Sequence, residues 1–320
     1  MLSRNKRPFV VLAIVITGMA IADFGAGRIL SSATAFSALQ SFSTFGLVAL
    51  GLALTMVIGE FDLSVAGLFG LGGCIAVIYG NDHAIAGIAA ALAVAIVFGF
   101  VQGLRITRLR LSSVAVTLGG LLTANGLAHV MTMNRTITFD NITLALALNE
   151  PIATIFSYRS LIVLAIFTVA ALVFGLTRIG RDLIATGSDS RAARTSGVRV
   201  DRLVVASFVM SATLAALGGA LLSYGLASAS AGGLTDVLVP AIAAAILGGV
   251  SLSGGVGNPV GLAVGIITLS ALRSGLNALA VPPLANDIVS GLILCSVAIA
   301  DAPYLSMRLR QLRAIMPGKA

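Results

Sequence analysis

The chain has 320 residues, of which 58% are hydrophobic and only 10% are charged. Soluble domains are about 25% charged, so the composition excludes an ordinary soluble enzyme and favours an integral membrane protein. The net charge of +8 comes without tryptophan and without a basic patch interleaved with aromatic residues, which argues against a nucleic-acid partner.

Long apolar windows without charge predict an all-α, multi-pass membrane protein, because backbone groups in hydrocarbon must be hydrogen-bonded within their own segment. At roughly 20 residues per span, the chain accommodates about ten transmembrane helices in a single domain, residues 1–320. The predicted spans are 9–27, 38–58, 63–80, 84–104, 114–134, 160–177, 203–226, 237–254, 258–280 and 286–302.

The basic residues predict the orientation of these spans. Most of them fall in four short clusters, at 4–7, 105–110, 178–202 and 308–319, and an even number of spans puts all four on one side. Basic connections face the cytoplasm, so we expect both termini to be cytoplasmic. The first apolar run resembles a signal peptide, but the many spans that follow favour an uncleaved first helix.

A helix break is predicted between the second and third spans, where residues 59–64 read GEFDLS. Glu60 and Asp62 are its acidic side chains, and Ser64 follows them. These residues either cap the next helix at a water-facing turn or contact the solute directly as a gate. The segment is similar to GGVSLS at 248–253, which contains Ser251 and Ser253, as expected for helix breaks in related halves of a transporter.

The 180–202 segment is the most informative polar stretch and lies on the basic side. Ser188 and Asp189 can cap a short helix through Ser196, and Gly197 can close it in the left-handed conformation. That helix would expose Arg191 and Arg194 to water and present Ala192 and Ala193 to a neighbour. Its shape predicts a docking element; the alternative is a solvated basic loop.

Several chemistries have no support in the sequence. A phosphate-binding loop needs Gly-Lys-Ser or Gly-Lys-Thr, and neither Lys6 nor Lys319 has that context. The two histidines, His83 and His129, lack the spacing of a metal site. We therefore expect no catalytic site, no metal and no cofactor, with any ATP bound by a partner subunit.

Three motifs in order resemble the permease subunit of ribose-type carbohydrate ABC importers. The first is 59–67, which differs from the family pattern GEIDLSVG by Phe for Ile and one extra small residue. The matching residues of the second motif are Gly180, Arg181, Ala185, Gly187, Ala192, Ala193, Ser196, Gly197 and Val200. The matching residues of the third motif are Gly248, Gly249, Ser251, Leu252, Gly254, Gly255 and Gly257.

The resemblance implies ten helices per subunit in a bacterial inner membrane, paired with a second copy or a sister permease within the lipid. It also implies two partners: a cytoplasmic ABC ATPase that docks on the 180–202 segment and a periplasmic sugar-binding protein. Many relatives have Glu where this chain has Arg191, and Asn where it has Asp189. These departures change the side chains that the resemblance places at the ATPase contact.

Two alternatives remain from the sequence. An ion-coupled secondary carrier would use Glu60 or Asp62 as its coupling group and would transport without an ATPase. An ABC permease for branched-chain amino acids would keep the mechanism and change the solute.

Overall fold

The computed structural model describes residues 6–23, 27–232 and 237–282, together with residues 285, 288, 289, 291 and 292. Within these residues there are twelve helices with defined bounds and one antiparallel pair of two-residue strands. In chain order the elements are α1 Arg7–Ala22, α2 Ser32–Val57, α3 Val65–Gly80, α4 Ala84–Leu109, α5 Ser113–Thr132, β1 Ile137–Thr138, α6 Ile142–Asn149, α7 Tyr158–Leu176, α8 Arg178–Ser188, α9 Ser190–Thr195, α10 Val200–Gly225, β2 Ser228–Ala229, α11 Leu238–Leu247 and α12 Pro259–Ala278.

The helical membrane architecture predicted from hydropathy is confirmed. Six described helices, α2, α4, α5, α7, α10 and α12, are long and apolar enough to cross a membrane, and α1, α3 and α11 are shorter apolar helices. These nine correspond one to one with the first nine predicted spans. The tenth, 286–302, lies almost entirely outside the described residues, so the count of ten stays a prediction.

The prediction for the eighth span is wrong at its end. The apolar window runs to residue 254, but α11 ends at Leu247 and a glycine loop, residues 248–258, follows it. Gly249 and Gly254 have φ values of 81° and 82°, a left-handed conformation that ends helices and that glycine adopts without steric cost. At 1.5 Å per residue, the ten residues of α11 span only about half of the hydrocarbon core.

The helices α2 and α11 end in the same way. The amides of Gly59 and Glu60 donate to the carbonyls of Met56 and Thr55, and the amides of Gly249 and Val250 donate to those of Ile246 and Ala245. Both are helix ends closed by a left-handed glycine. The similarity predicted from GEFDLS and GGVSLS is therefore present in the backbone, but shifted by one residue, with Gly249 rather than Gly248 in the place of Gly59.

The helix α10 is the centre of the bundle and packs against α2, α3 and α4. Small residues allow close approach along these seams, as is typical of membrane helices. A Cβ at Gly51 would lie 2.9 Å from the Cα of Ser211, and one at Gly72 would lie 2.6 Å from that of Ala216. Any larger residue at these positions would push the central helix outward.

The described residues of three of the four basic clusters lie at one end of the bundle, which we call the basic end. Arg108 and Arg110, which follow α4, are close enough to act electrostatically on Asp201 at the start of α10. Pro8 of α1 lines a small cavity together with the glycine loop. The predicted clustering is therefore confirmed for the described residues, while the fourth cluster, 308–319, lies outside them.

Candidate functional site

The 180–202 segment contains two helices rather than the one predicted. The additional helix is α8, whose Ile179 and Leu183 lie on an apolar face while Arg178 and Arg181 are exposed. Gly180 packs against the carbonyl of Phe174 at the end of α7, where a side chain would clash. Hydropathy overlooks α8 because its apolar residues occupy only one face.

The predicted short capped helix is present as α9. The Asp189 carboxylate accepts hydrogen bonds from the amides of Arg191 and Ala192 at 2.9 and 3.0 Å. At the other end Gly197 has a φ of 87°, and the amide of Val198 donates to the carbonyl of Ala193 at 3.0 Å. These caps hold a helix of only six residues, which would be marginal by itself.

The exposed surface of α9 differs from the prediction at one position. Arg191, Ala192 and Gly197 are exposed, but Ala193 is only 4% exposed and packs into the hydrophobic core. Because side chains one residue apart point in different directions on a helix, the Ala pair cannot face a single neighbour. Ala192 is the one of the two that a docking partner can reach.

Arg194 ties α9 to the central helix. Its two terminal nitrogens donate to the two carboxylate oxygens of Asp201 at 3.0 and 2.6 Å. This hydrogen bonding raises the pKa of the Arg194 guanidinium. Both side chains are about half exposed, so the pair adds little stability, but its two parallel bonds join α9 to α10 directly.

The three sequence motifs meet at a junction of glycines on the basic end. The amide of Gly255 donates to the carbonyl oxygen of Val57 at 2.8 Å. A Cβ at Gly187 would meet that carbonyl and lie 2.5 Å from the Gly255 nitrogen. A Cβ at Gly254 would lie 2.9 Å from both the carbonyl oxygen of Gly187 and the Cα of Gly59. The 180–202 segment thus packs directly on the ends of α2 and the glycine loop.

The predicted water-facing turn that caps α3 is wrong, because Ser64 at the N-cap makes no side-chain cap hydrogen bond and Asp62 is fully buried. Oδ1 of Asp62 accepts from the amide of Ser64 at 2.9 Å and from the Ser64 hydroxyl at 2.6 Å. That hydroxyl also lies 3.1 Å from Oε1 of Gln102 in α4. Ser211 of α10 lies beside the same carboxylate. We call these four residues the Asp62 network.

The Asp62 network contains polar atoms that the described residues leave without a hydrogen-bond partner. They are Oδ2 of Asp62, Nε2 of Gln102 and Oγ of Ser211. All the described partners of Asp62 are uncharged, and an isolated buried carboxylate is costly. The Asp62 network is therefore a buried polar cluster without a compensating charge among the described residues.

Two residues of α5 hold the 58–64 connection in place. The Ser113 hydroxyl accepts from the amide of Phe61 at 3.3 Å, and Thr117 Oγ1 accepts from that of Leu63 at 3.1 Å. Sequence reasoning missed these residues and the partners of Asp62 in α4 and α10. The available signal was a polar side chain inside an apolar window, but its partner in the fold is not visible from sequence spacing.

The remaining predicted pathway residues lie apart from the Asp62 network. Glu60 is half-buried at the end of α2. Ser251 accepts from the amide of Ser253 at 3.2 Å through its hydroxyl and donates its own amide to Val256. These bonds shape the turn of the glycine loop, and the described contacts do not bring either serine to Asp62.

Comparisons with known proteins agree with this architecture. A family model described as "Branched-chain amino acid transport system / permease component" matches residues 34–298. The autoinducer 2 import system permease protein LsrC of Yersinia pestis (strain Pestoides F) is 31% identical over 302 residues, covering 93% of this chain and 85% of that protein. LsrC of Yersinia pseudotuberculosis serotype O:1b (strain IP 31758) is 30% identical with the same coverage. No solved structure gives a significant match.

These matches cover nearly the whole chain, including all three motifs that meet at the glycine junction. They confirm the resemblance to permeases of ribose-type importers. The chain therefore belongs to the family of branched-chain amino acid transport system permease components, as a multi-pass membrane permease.

Proposed function

We propose that this permease forms the membrane pathway of a binding-protein-dependent ABC importer for a sugar or sugar-like solute, with ATP hydrolysed on a partner subunit. The observation that carries the proposal is the exposed helix α9, which is capped at both ends and joined through Gly187 to the backbone at the end of α2. A rigid surface helix connected to the spans is suited to receive force from outside the membrane.

The contacts of α9 suggest how its movement would be transmitted to the membrane-spanning helices. Movement of α9 would act on α10 through the pair Arg194 and Asp201. It would act on α2 and the glycine loop through Gly187. Because α10 packs against α2, α3 and α4, a shift at the basic end would rock the centre of the bundle. This is alternating access, in which rigid elements tilt around a central pathway.

The solute is inferred from the relatives. The Yersinia proteins are named as autoinducer 2 import permeases, which favours a small polar, sugar-like solute here. The description of the matched family favours a branched-chain amino acid as the second candidate. In either case the soluble binding protein would contribute much of the specificity.

The proposal places both termini and the basic end in the cytoplasm of a bacterial inner membrane, as the positive-inside rule requires, with ten spans in all. The partners are an ABC ATPase at α9, a periplasmic binding protein at the opposite end, and a second copy or a sister permease beside the spans. We expect this chain to carry no enzymatic activity and to bind no cofactor.

Uptake into proteoliposomes distinguishes an ABC importer from an ion-coupled carrier, in which the buried Asp62 would be the coupling group. The permease is reconstituted with a sugar-type ATPase and binding protein, with ATP on the ATPase side, and labelled sugar is measured. We expect uptake only with ATP and the ATPase. Robust uptake by the permease alone, driven by a proton or sodium gradient, would replace the ABC mechanism with ion coupling.

A further inference from the structure

An apolar cleft of about 490 Å³ lies between α7 and α10. Leu50 and Leu54 of α2 form its floor, Ile166 and Val173 line one wall, and Met210 and Leu214 line the other. Its volume is within the range of about 300–1,000 Å³ that is typical of ligand pockets. It lies among three helices that are long and apolar enough to cross the membrane, so hydrocarbon is the surrounding solvent.

A basic pocket of about 560 Å³ adjoins the cleft. Leu203 and Ala206 line both cavities. The pocket also contains Arg178, Arg199 and Arg202, with Asp182 as the opposing charge. The apolar cleft therefore adjoins a pocket lined by three arginines at the basic end of the bundle.

The amphipathic helix α8 borders both cavities. Its Ile179 and Leu183 line the apolar cleft, whereas Arg178 and Asp182 line the basic pocket. A short helix with one apolar and one charged face is suited to the membrane interface. Its position indicates that the boundary between the two cavities lies at headgroup level.

The depth of the cleft matches one leaflet. Its lining runs from Leu203 to Leu214 on α10 and from Phe174 back to Ala165 on α7. At 1.5 Å per helical residue these stretches are about 15 Å long, which is half of a hydrocarbon core of about 30 Å. An acyl chain entering from the basic end would fill it.

We propose that this cleft binds an anionic phospholipid, with an acyl chain between α7 and α10 and the phosphate held by Arg178, Arg199 and Arg202. Basic pockets between membrane helices select anionic headgroups, and arginine forms bidentate bonds with phosphate. Ser196, Gly197 and Val198 at the end of α9 also line the basic pocket, so the phosphate would lie beside the proposed ATPase contact. In this proposal α8 covers the lipid at the boundary between the apolar cleft and the basic pocket.

Fluorescence quenching by brominated lipids tests the proposal in the full-length permease. The chain contains no tryptophan, so Met210→Trp places a single fluorophore in the cleft. Leu122→Trp is the matched control, because Leu122 is 66% exposed on α5 and lines neither cavity. Each variant is titrated with brominated phosphatidylglycerol and with brominated phosphatidylcholine in vesicles.

We expect phosphatidylglycerol to be preferred at Met210→Trp and both lipids to quench Leu122→Trp equally. One basic residue near an anionic headgroup contributes a factor of about five, so Arg199→Gln with Arg202→Gln should reduce the preference about 25-fold. Arg105→Gln with Arg108→Gln removes two exposed charges elsewhere on the basic end and should leave it unchanged. Ala206→Phe adds bulk to an exposed wall residue and should reduce quenching by both lipids.

Equal quenching of Met210→Trp by the two lipids would overturn the proposal. An equal loss in both arginine pairs would also overturn it, because it would indicate general attraction to the basic end. Absence of quenching at Met210→Trp would mean that protein fills the cleft, either a second copy or a segment outside the described residues.

Discussion

The amide of Gly255 donates a hydrogen bond of 2.8 Å to the carbonyl oxygen of Val57 and so joins the glycine loop to the end of α2. Gly187 of α8 lies directly over this bond, with no room for a side chain. Three regions far apart in sequence thus share one backbone contact at the basic end.

Gly187→Ala should destabilise the permease. The added methyl group would meet the Val57 carbonyl and the Gly255 amide, and overpacking of this kind typically costs about 1–3 kcal/mol. Gly175→Ala is the matched control, because the space around Gly175 is open. Thermal unfolding in detergent should show a lower midpoint for Gly187→Ala only. Equal midpoints would mean that α8 moves away freely.

Gly197→Pro should abolish stimulation of the ATPase by solute-loaded binding protein while leaving membrane insertion intact. Proline cannot adopt the φ of 87° found at Gly197, and it lacks the amide that bonds to Arg194. Gly197→Asn is the matched control, since asparagine tolerates the left-handed conformation, and it should retain most of the stimulation. Normal stimulation in the proline variant would remove α9 from the coupling route.

Thr117→Val should lower stability by about 0.5–1.5 kcal/mol, because it leaves the partly buried amide of Leu63 without its acceptor. Thr123→Val, in the same helix, removes an exposed hydroxyl that bonds only within the helix and should change stability by less than about 0.5 kcal/mol. The free energy of unfolding of both variants is measured by denaturation in the same detergent. Similar losses would show that the 58–64 connection does not depend on α5.

Asp62→Asn should leave transport within about twofold of wild type, because an amide oxygen can still accept from the Ser64 amide and hydroxyl. The substitution also removes the cost of burying a charge. The measurement is ATP-driven uptake, normalised to the amount of assembled complex. A severe loss with normal assembly would show that the carboxyl group takes part in transport directly.

The fold could be predicted from the sequence where the signal is local. Hydropathy located nine apolar helices, and capping chemistry located α9 between Asp189 and Gly197. The end of α11 could not be predicted this way, because residues 248–254 are apolar and glycine-rich at once. Hydropathy counts such residues as membrane, whereas their left-handed φ values end the helix.

The candidate site was harder to predict from the sequence, because its contacts join residues that are far apart along the chain. Asp62 is buried by partners in α4 and α10, at Gln102 and Ser211, and no spacing rule connects these positions. Burial of Ala193 has the same origin, since its neighbours come from other elements. Motif resemblance marked Gly187 as important, but only the packing shows that it covers the contact between Val57 and Gly255.

Co-purification with a sugar-type ATPase tests the central claim, that α9 is the docking element, most directly. The wild-type permease and its variants Ala192→Trp and Ala86→Trp are each coexpressed with the ATPase. The amount of ATPase that co-purifies with each permease in detergent is measured. The first substitution adds bulk to the exposed face of α9, and the second adds the same bulk to an exposed alanine at the start of α4, at the opposite end. We predict that only Ala192→Trp loses the ATPase. Equal capture by all three would contradict the account.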